Sequence, residues 1–416
     1  RVVHSGAAAP LDPRGVQSAV GGASGGASQV QPKNAPRNDA LVTLVQRITQ
    51  GLDPLDVAHA RALGYDAYLE EQLDHLAIDD SALDARLASL TTLGLSPREL
   101  VEGYGMNTFQ PVLELQKATL LRSLYSKRQL FERTCEFWTD HFNVYYGKGI
   151  VWALHGRFDR DAIRANAFGS LHDLLVGSAT SPAMLTYLDN WLNYAGAPQE
   201  NYARELLELH SMGASSGYTE GDVHEVAKCF TGWTIDFSPT SNDYLGFRYR
   251  PSLHEPGTKI VLGNVIEEQP SAGWSGFRVL ELLCARPETA RHVVGELISW
   301  FLTPTPPPEL VEANAQLFLD SSGEIKPVLR SILARENMRW ASPVLAPKFR
   351  RPFHFMNALL RTLHAQVSDA GPLVEHLASM GQAPHDWPTP AGYPDSVEAW
   401  GSSLLPRWTF ASELLA

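Results

Sequence analysis

Three polar residues in NYARELLELHSMG, residues 201–213, have types and spacing that suit acid–base chemistry. Asn201, Glu205 and Glu208 recur at helical spacing and therefore share one stripe of a helix. Two carboxyl groups facing one bond can hydrolyse a glycosidic linkage when burial keeps one of them protonated. The same stripe is also typical of a solvated face, in which Arg204 and Glu208 pair at i, i+4. The spacing leaves both interpretations open.

A second candidate lies in FERTCEFWTDHFNVYYGKG, residues 131–149. Glu136 and Asp140 fall on one face of the predicted helix, and His141 ends it among aromatic residues. An imidazole in such surroundings can act as a general base or as a ligand. The alternative is a packed histidine with one ring nitrogen bonded to the backbone.

A third candidate is the Pro-Gly turn in FRYRPSLHEPGTKIVLG, where five ionisable residues cluster: Arg248, Arg250, His254, Glu255 and Lys259. Because loops often carry binding residues, this turn is a candidate for gripping a substrate. Its cationic members would suit a carboxylate or a sulfate. An ordinary exposed turn is the alternative.

Other chemical signatures are weaker. His224 begins HEVAK, but Lys228 stands where a zinc-protease helix needs its second histidine. No nucleophile elbow, Walker loop or dinucleotide-binding glycine fingerprint is present in the sequence. The segment QAPHDWPTPAGYPDSVEAW predicts a rigid loop with Trp387 and Tyr393 among prolines. Such flat aromatic faces either stack against sugar rings or cap a core.

The composition narrows the classes of partner. The formal charge of -12 argues against nucleic acid, because binding to phosphates needs a basic surface. No apolar stretch approaches the roughly 18 to 20 residues that span a bilayer. The three cysteines are far apart in sequence and are predicted to be small buried thiols, with one bridged pair as the alternative; no cysteine or histidine motif predicts a metal site.

The elements that must position these residues are predominantly helical. Residues 1–40 are rich in Gly, Ala, Ser and Pro and are predicted to form a disordered tail. Residues 41–416 predict one all-α domain with a small inserted β-hairpin near 244–264. Ser96-Pro97 and Thr219 mark helix starts, the latter as a capping box with Asp222.

The order of several segments resembles a known bacterial family. FWTDHF is followed by LDN at 188–190, NYARELLELHSMG, GYTEGDVHEVAKCFTGW, LHEPGTKIVLG, WPTPAGYPD and a late LLPRW. This series is similar to the domain of unknown function 1800 family over most of residues 41–416. Members of that family are typically exported and often encoded beside an exported protein of the alkaline-phosphatase and sulfatase kind. The resemblance therefore implies a secreted or periplasmic location and a possible protein partner.

The resemblance also indicates which polar positions of this chain are recurrent in the family. The family's recurrent polar residues correspond to His141, Asn201, Glu205, Glu208, Glu225, His254 and Lys259. It thereby favours a pocket wall over a solvated stripe for the 201–208 segment. Relatives often carry a further histidine where this chain has Thr139, so a metal site with two imidazoles in that helix is not implied here.

We therefore hypothesise an exported helical enzyme that acts on a polysaccharide or related glycan, as a hydrolase or a lyase. The candidate catalytic residues are Glu205, Glu208, His141 and His254. The candidate substrate-binding residues are Asn201, Lys259, Asp189, Glu225, Trp233, Arg248, Trp387 and Tyr393. In hydrolysis, Glu205 and Glu208, or either with Glu225 or Asp189, would form the carboxyl pair. In elimination, His141 or His254 would abstract the proton while Asn201 or Lys259 stabilises the enolate.

Two alternatives remain open. The protein could be a non-enzymatic secreted partner of the phosphatase-like neighbour, using its aromatic C-terminal loop as the contact. It could instead be a metal-dependent or redox enzyme in which His141, His254 and Glu205 converge. The sequence specifies no cofactor. Every catalytic version of the hypothesis requires the central helices and the hairpin to meet at one hollow.

Overall fold

Helices make up most of the structure, a computed structural model that describes residues 39–105, 108–268, 273–341 and 348–415. The tail predicted for residues 1–40 lies almost entirely outside these ranges. The α-helices of the described residues are α1 (Ala40–Ile48), α2 (Pro54–Leu63), α3 (Tyr65–Leu73), α4 (Ser81–Leu87), α5 (Pro97–Tyr104), α6 (Gln110–Tyr125), α7 (Gln129–His141), α8 (Val151–Arg157), α9 (Leu171–Ala179), α10 (Pro182–Tyr187), α11 (Asn201–Glu208), α12 (Glu220–Cys229), α13 (Trp274–Cys284), α14 (Pro287–Phe301), α15 (Pro308–Asp320), α16 (Ile325–Ile332), α17 (Pro352–Thr362), α18 (Gly371–Ser379) and α19 (Leu404–Leu415).

Local capping explains where several helices begin. Ser96 forms a capping box with Glu99 at the start of α5, and Pro97 occupies the first turn. Thr219 forms the equivalent box with Asp222 at the start of α12. Both starts are where the sequence predicted them, because capping depends only on residues within one turn.

Four short strands form two antiparallel pairs. β1 (Trp233–Ile235) pairs with β2 (Phe247–Tyr249), and β3 (Lys259–Val261) pairs with β4 (Asn264–Ile266). The hairpin predicted near 244–264 contains β2 and β3, but these strands do not pair with each other, since β2 pairs with β1 and β3 with β4. Leu262 and Gly263 both have positive φ, at 51° and 77°, which makes a two-residue hairpin turn directly after β3. The all-α class with a small β insertion is confirmed.

Helix α7 runs through the main core. Its apolar residues, such as Trp138, and the following Phe142 are fully buried. Its polar residues Glu132 and Arg133 are buried as well, so this helix has no purely solvated face. Because a buried charge is costly unless it is paired, α7 must be surrounded by partners of opposite charge.

Helix α11 is shorter than the pattern in NYARELLELHSMG suggested, since it ends at Glu208. The chain leaves the helix through Gly213, whose φ is +85°. The expected pair between Arg204 and Glu208 does not form. Arg204 instead makes two hydrogen bonds to Glu220, at 2.8 and 2.7 Å, because α12 packs beside α11.

The segment before the last helix is an aromatic loop, as predicted. The rings of Trp387 and Tyr393 lie 4.9 Å apart, and those of Tyr393 and Trp400 lie 6.1 Å apart. The three cysteines are free thiols. Within the described ranges, no helix has both the length and the apolar character of a membrane span.

Candidate active site

A pocket of about 150 Å³ lies at the carboxyl end of α7. Its acidic and basic lining residues come from α7, α14, the segment just before α17 and the aromatic loop after α18: Asp140, His141, Glu296, Arg351 and Asp395. Phe137, Trp300 and Tyr393 supply aromatic walls. Carboxyl groups, a histidine and an arginine therefore converge on one hollow beside apolar surface, as ligand sites commonly require.

Asp140 is the carboxyl group whose protonation is most altered in this pocket. Its side chain is 19% exposed, and its Oδ2 accepts a 2.6 Å hydrogen bond from Arg351. Burial raises the pKa of Asp140 to about 6, because the Arg351 charge offsets desolvation only in part and the Glu136 charge adds to it. Among the described residues Oδ1 has no hydrogen-bond partner. Asp140 is thus a carboxylic acid that can hold a proton in weakly acidic solution.

A buried ion network holds Asp140 in place. Arg351 is 1% exposed and donates a second hydrogen bond to Glu136 Oε1 at 3.0 Å. Glu136 also contacts Arg133 at 3.1 Å and His354 at 2.7 Å. Burial alone would raise the pKa of Glu136, but these three partners hold it well below its ordinary value. Glu136 is therefore a fixed anion that orients Arg351.

Glu296 supplies a second carboxylate to the pocket, and it is ionised. His141 Nδ1 lies 2.8 Å from Glu296 Oε2, whose side chain is 40% exposed. Although burial opposes it, the neighbouring His141 lowers the pKa of Glu296. His141 Nε2 lies 3.2 Å from the carbonyl oxygen of His210, which can only accept a hydrogen bond. Both ring nitrogens of His141 thus face hydrogen-bond acceptors, one of them the Glu296 carboxylate.

The segment NYARELLELHSMG supports this pair through its backbone. The carbonyl oxygen of His210 faces His141, and that of Leu209 lies 3.1 Å from His292 Nε2. The acidic side chains of the segment lie elsewhere. Glu205 is half-buried near Tyr187, and Glu208 bonds to the Tyr218 phenol.

Glu205 and Glu208, the two acids of α11, do not line the pocket at the end of α7. Asn201 is the first residue of α11 and is half-buried. Burial and the Glu208 charge raise the pKa of Glu205.

The predicted residues of the 247–263 segment form a separate structural hub. His254 Nδ1 lies 2.9 Å from the Thr231 carbonyl oxygen, while Nε2 lies 3.2 Å from Lys259 Nζ. Lys259 is 1% exposed and donates to the carbonyl oxygen of Glu255 at 2.5 Å. In the described part of the chain, His254 and His141 share no hydrogen-bond partner. The contacts of this hub are those of a packed turn.

The remaining polar candidates from the sequence are paired locally. Glu225 accepts from Lys228 at 2.6 Å and from the Ile260 backbone at 3.0 Å, which ties β3 to α12. Arg248 pairs with Asp236 at 3.2 Å.

The candidates Asp189 and Trp233 also have local contacts. Asp189 has a positive φ of 61° and pairs with Lys148 at 2.6 Å. Trp233 is fully buried between Phe230, Phe247 and Phe277.

Of the predicted residues, His141 and Tyr393 line the pocket, and Trp387 packs on Tyr393. Asp140 was visible in the sequence as part of the Glu136 face, although it was not among the predicted site residues. Glu296 and Arg351 were missed. Glu296 lies in the ordinary amphipathic pattern of α14, and Arg351 is distinguished only by its place before Pro352.

The described residues contain no group of three histidine, cysteine or carboxylate side chains placed to hold a metal ion. Residues 43–416 match a family described as "Protein of unknown function (DUF1800)". No similar curated protein and no similar solved structure were found.

Proposed function

We propose, from the premise that the chain belongs to the DUF1800 family, that it is an exported glycan hydrolase whose active site is the pocket at the end of α7. The observation that carries the proposal is a pair of carboxyl groups with opposite pKa shifts in that pocket. The pKa of Asp140 is raised to about 6 by burial, and that of Glu296 is lowered by His141 despite burial. Such divergence separates a general acid from a general base.

The roles follow from the protonation states. Asp140 donates its proton to the glycosidic oxygen as the carbon–oxygen bond breaks. Glu296 accepts a proton from the attacking water, whose oxygen forms the new bond to the sugar carbon. The products are two sugar chains, one with a new reducing end, and the two carboxyl groups exchange their protonation states until solvent restores them.

The surroundings of the pair favour a sugar. Trp387 is half-buried and packs on Tyr393, so an aromatic surface lies beside the acid pair. Flat aromatic side chains with a polar edge are suited to sugar rings, which have apolar faces and hydroxyl rims. Hydrolysis is favoured over elimination because both nitrogens of His141 are already bonded, which leaves no free imidazole in this pocket to abstract a proton.

The test is release of reducing ends from a panel of glycans by wild type, Asp140→Asn and Glu296→Gln. Each variant is expected to lower kcat by about 100- to 10,000-fold, the usual effect of losing acid–base catalysis. Glu312→Gln, an exposed carboxylate on α15, serves as the matched control and should retain wild-type activity. Wild-type kcat should fall as pH rises through about 6, the pKa to which burial raises Asp140.

Two outcomes would overturn the proposal. If Glu205→Gln abolished activity while Asp140→Asn did not, the active site would lie on α11 instead. If folded wild-type protein released nothing from any glycan of the panel, the non-enzymatic partner of an exported phosphatase-like protein would be the better hypothesis.

A further inference from the structure

A second cavity, of about 190 Å³, shares the lining residue Trp300 with the pocket at the end of α7. Its charged lining residues come from α1, α7 and the segment leading into α17: Arg47, Arg133, Lys348 and Arg350, together with His354. None of the described lining residues is acidic. A cavity lined only by cationic and neutral groups is unusual in a chain with a formal charge of -12.

The carboxylates nearby do not balance these cations. Glu136 is shared between Arg133 and Arg351, Asp140 binds Arg351, and Asp395 binds Lys348. Five cationic side chains, with Arg351 included, thus meet three carboxylates, which leaves two positive charges without a described partner. Protonation of Asp140 increases this excess by one.

The two unbalanced charges are those of Arg47 and Arg350, and Arg133 adds a buried donor without a hydrogen-bond partner. Arg350 is exposed and makes no ion pair within the described ranges. Arg47 donates to the carbonyl oxygen of Ala341 at 2.9 Å rather than to an acid. Burial and the charges of Arg133 and Arg350 lower the pKa of Arg47 to about 10. Arg133 is 5% exposed, and its Nε is buried without a hydrogen-bond partner.

We propose that this cavity binds an oxyanion carried by the substrate, so that the glycan is an acidic one bearing carboxylate or sulfate groups. Guanidinium groups donate paired hydrogen bonds to such planar or tetrahedral oxyanions, and these bonds are strong where water is partly excluded. Trp300 lines both cavities, so the proposed anion site is next to the pocket that contains Asp140. The identity of the ligand as a glycan rests on the proposed function, whereas the anion site itself does not.

The first experiment measures the anion site without any cleavage. Thermal unfolding of wild type, Arg47→Gln and Arg350→Gln is compared in sodium sulfate and sodium chloride at equal ionic strength. Sulfate stabilises folded proteins in general because it is excluded from their surfaces, so a bound sulfate is detected as the part of the Tm increase that both variants lose. Arg278→Gln is the matched control, since Arg278 is exposed and pairs with Glu281 at 2.8 Å. If Arg47→Gln and Arg350→Gln keep the same sulfate increase in Tm as wild type and Arg278→Gln, the anion site is refuted.

The second experiment separates the two sources of the anion. Initial rates are measured on a uronic acid polymer, on its carboxyl-reduced neutral counterpart and on a sulfated neutral polymer. Arg350→Gln should raise KM for the preferred acidic polymer by about 10- to 100-fold, the range of a lost charge-assisted hydrogen bond. The same variant should have the wild-type KM for the neutral polymer. Preference for the uronate or for the sulfated polymer identifies the anion.

The two proposals fail in different ways. Sulfate-specific stabilisation without cleavage of any polymer would refute the hydrolase and keep the anion site. Cleavage of the neutral polymer at the same kcat/KM as the acidic ones, in wild type and Arg350→Gln alike, would refute the acidic substrate and keep the hydrolase.

Discussion

Two acids one helical turn apart on α7 have opposite protonation behaviour. Glu136 contacts Arg133, Arg351 and His354, whereas Asp140 has only the Arg351 it shares with Glu136. Cationic partners hold the pKa of Glu136 low although burial opposes them, and burial raises that of Asp140 to about 6. At the scale of a residue, the number of cationic partners decides which acid is structural and which can donate a proton.

Replacing Glu136 tests this distinction. Glu136→Gln leaves Arg133 and Arg351 buried without their common anion, so we expect the free energy of unfolding to fall by about 3 to 5 kcal/mol. Urea denaturation at pH 7 measures it. The control is Glu70→Gln, which removes an exposed pair with Arg330 and should cost no more than about 1 kcal/mol. Equal effects of the two substitutions would show that the buried network does not stabilise the fold.

At the scale of elements, the aromatic loop completes the pocket by docking on the end of α7. Asn143 donates to the carbonyl oxygens of Trp387 and Thr389, at 2.9 and 2.7 Å. Gly392, with φ of +68°, lies so close to α7 that an added Cβ would be 2.4 Å from the carbonyl oxygen of Asp140. Glycine is required here both by its φ and by this close approach.

Gly392→Ala should therefore displace the loop. Gly257→Ala is a matched control, because Gly257 also has a positive φ, +89°, but an added Cβ meets nothing within 4 Å. The control should lower the free energy of unfolding by about 1 kcal/mol, because alanine is strained at positive φ. Gly392→Ala should cost about 1 to 3 kcal/mol more, as overpacking does, and should lower kcat/KM. Urea denaturation and the reducing-end assay measure the two effects. Identical losses for both variants would mean that the loop tolerates the contact.

At the scale of the whole molecule, several histidines are buried without a carboxylate bonded to the ring. Among them are His155, His210 and His385. Burial lowers the pKa of His385 to about 3, and it lowers those of His155 and His210 well below the ordinary value. These side chains are therefore neutral in the folded protein at pH values where the unfolded chain carries their protons.

The buried histidines make the stability of the fold depend on pH. Below the unfolded pKa of about 6.5, the unfolded state binds more protons, so stability is lost as pH falls. Each such histidine should contribute up to about 1.4 kcal/mol per pH unit to that loss. Urea denaturation at pH 7, 6 and 5 measures it. His385→Gln should make the dependence shallower, because it removes one imidazole whose pKa burial lowers in the folded protein. A wild-type stability that stays constant from pH 7 to 5 would contradict this expectation.

The sequence by itself determined the helical class, the capped starts of α5 and α12, the aromatic loop and the family. These features depend on residues within a turn or two of each other, or on a recognisable order of segments. The candidate active site was decided only by the tertiary structure. His141 meets Glu296 across 155 residues and Asp140 meets Arg351 across 211, and no local pattern marks either partner. The pairings arise because buried charges on α7 must find counter-charges wherever packing brings them, and packing is a property of the whole chain.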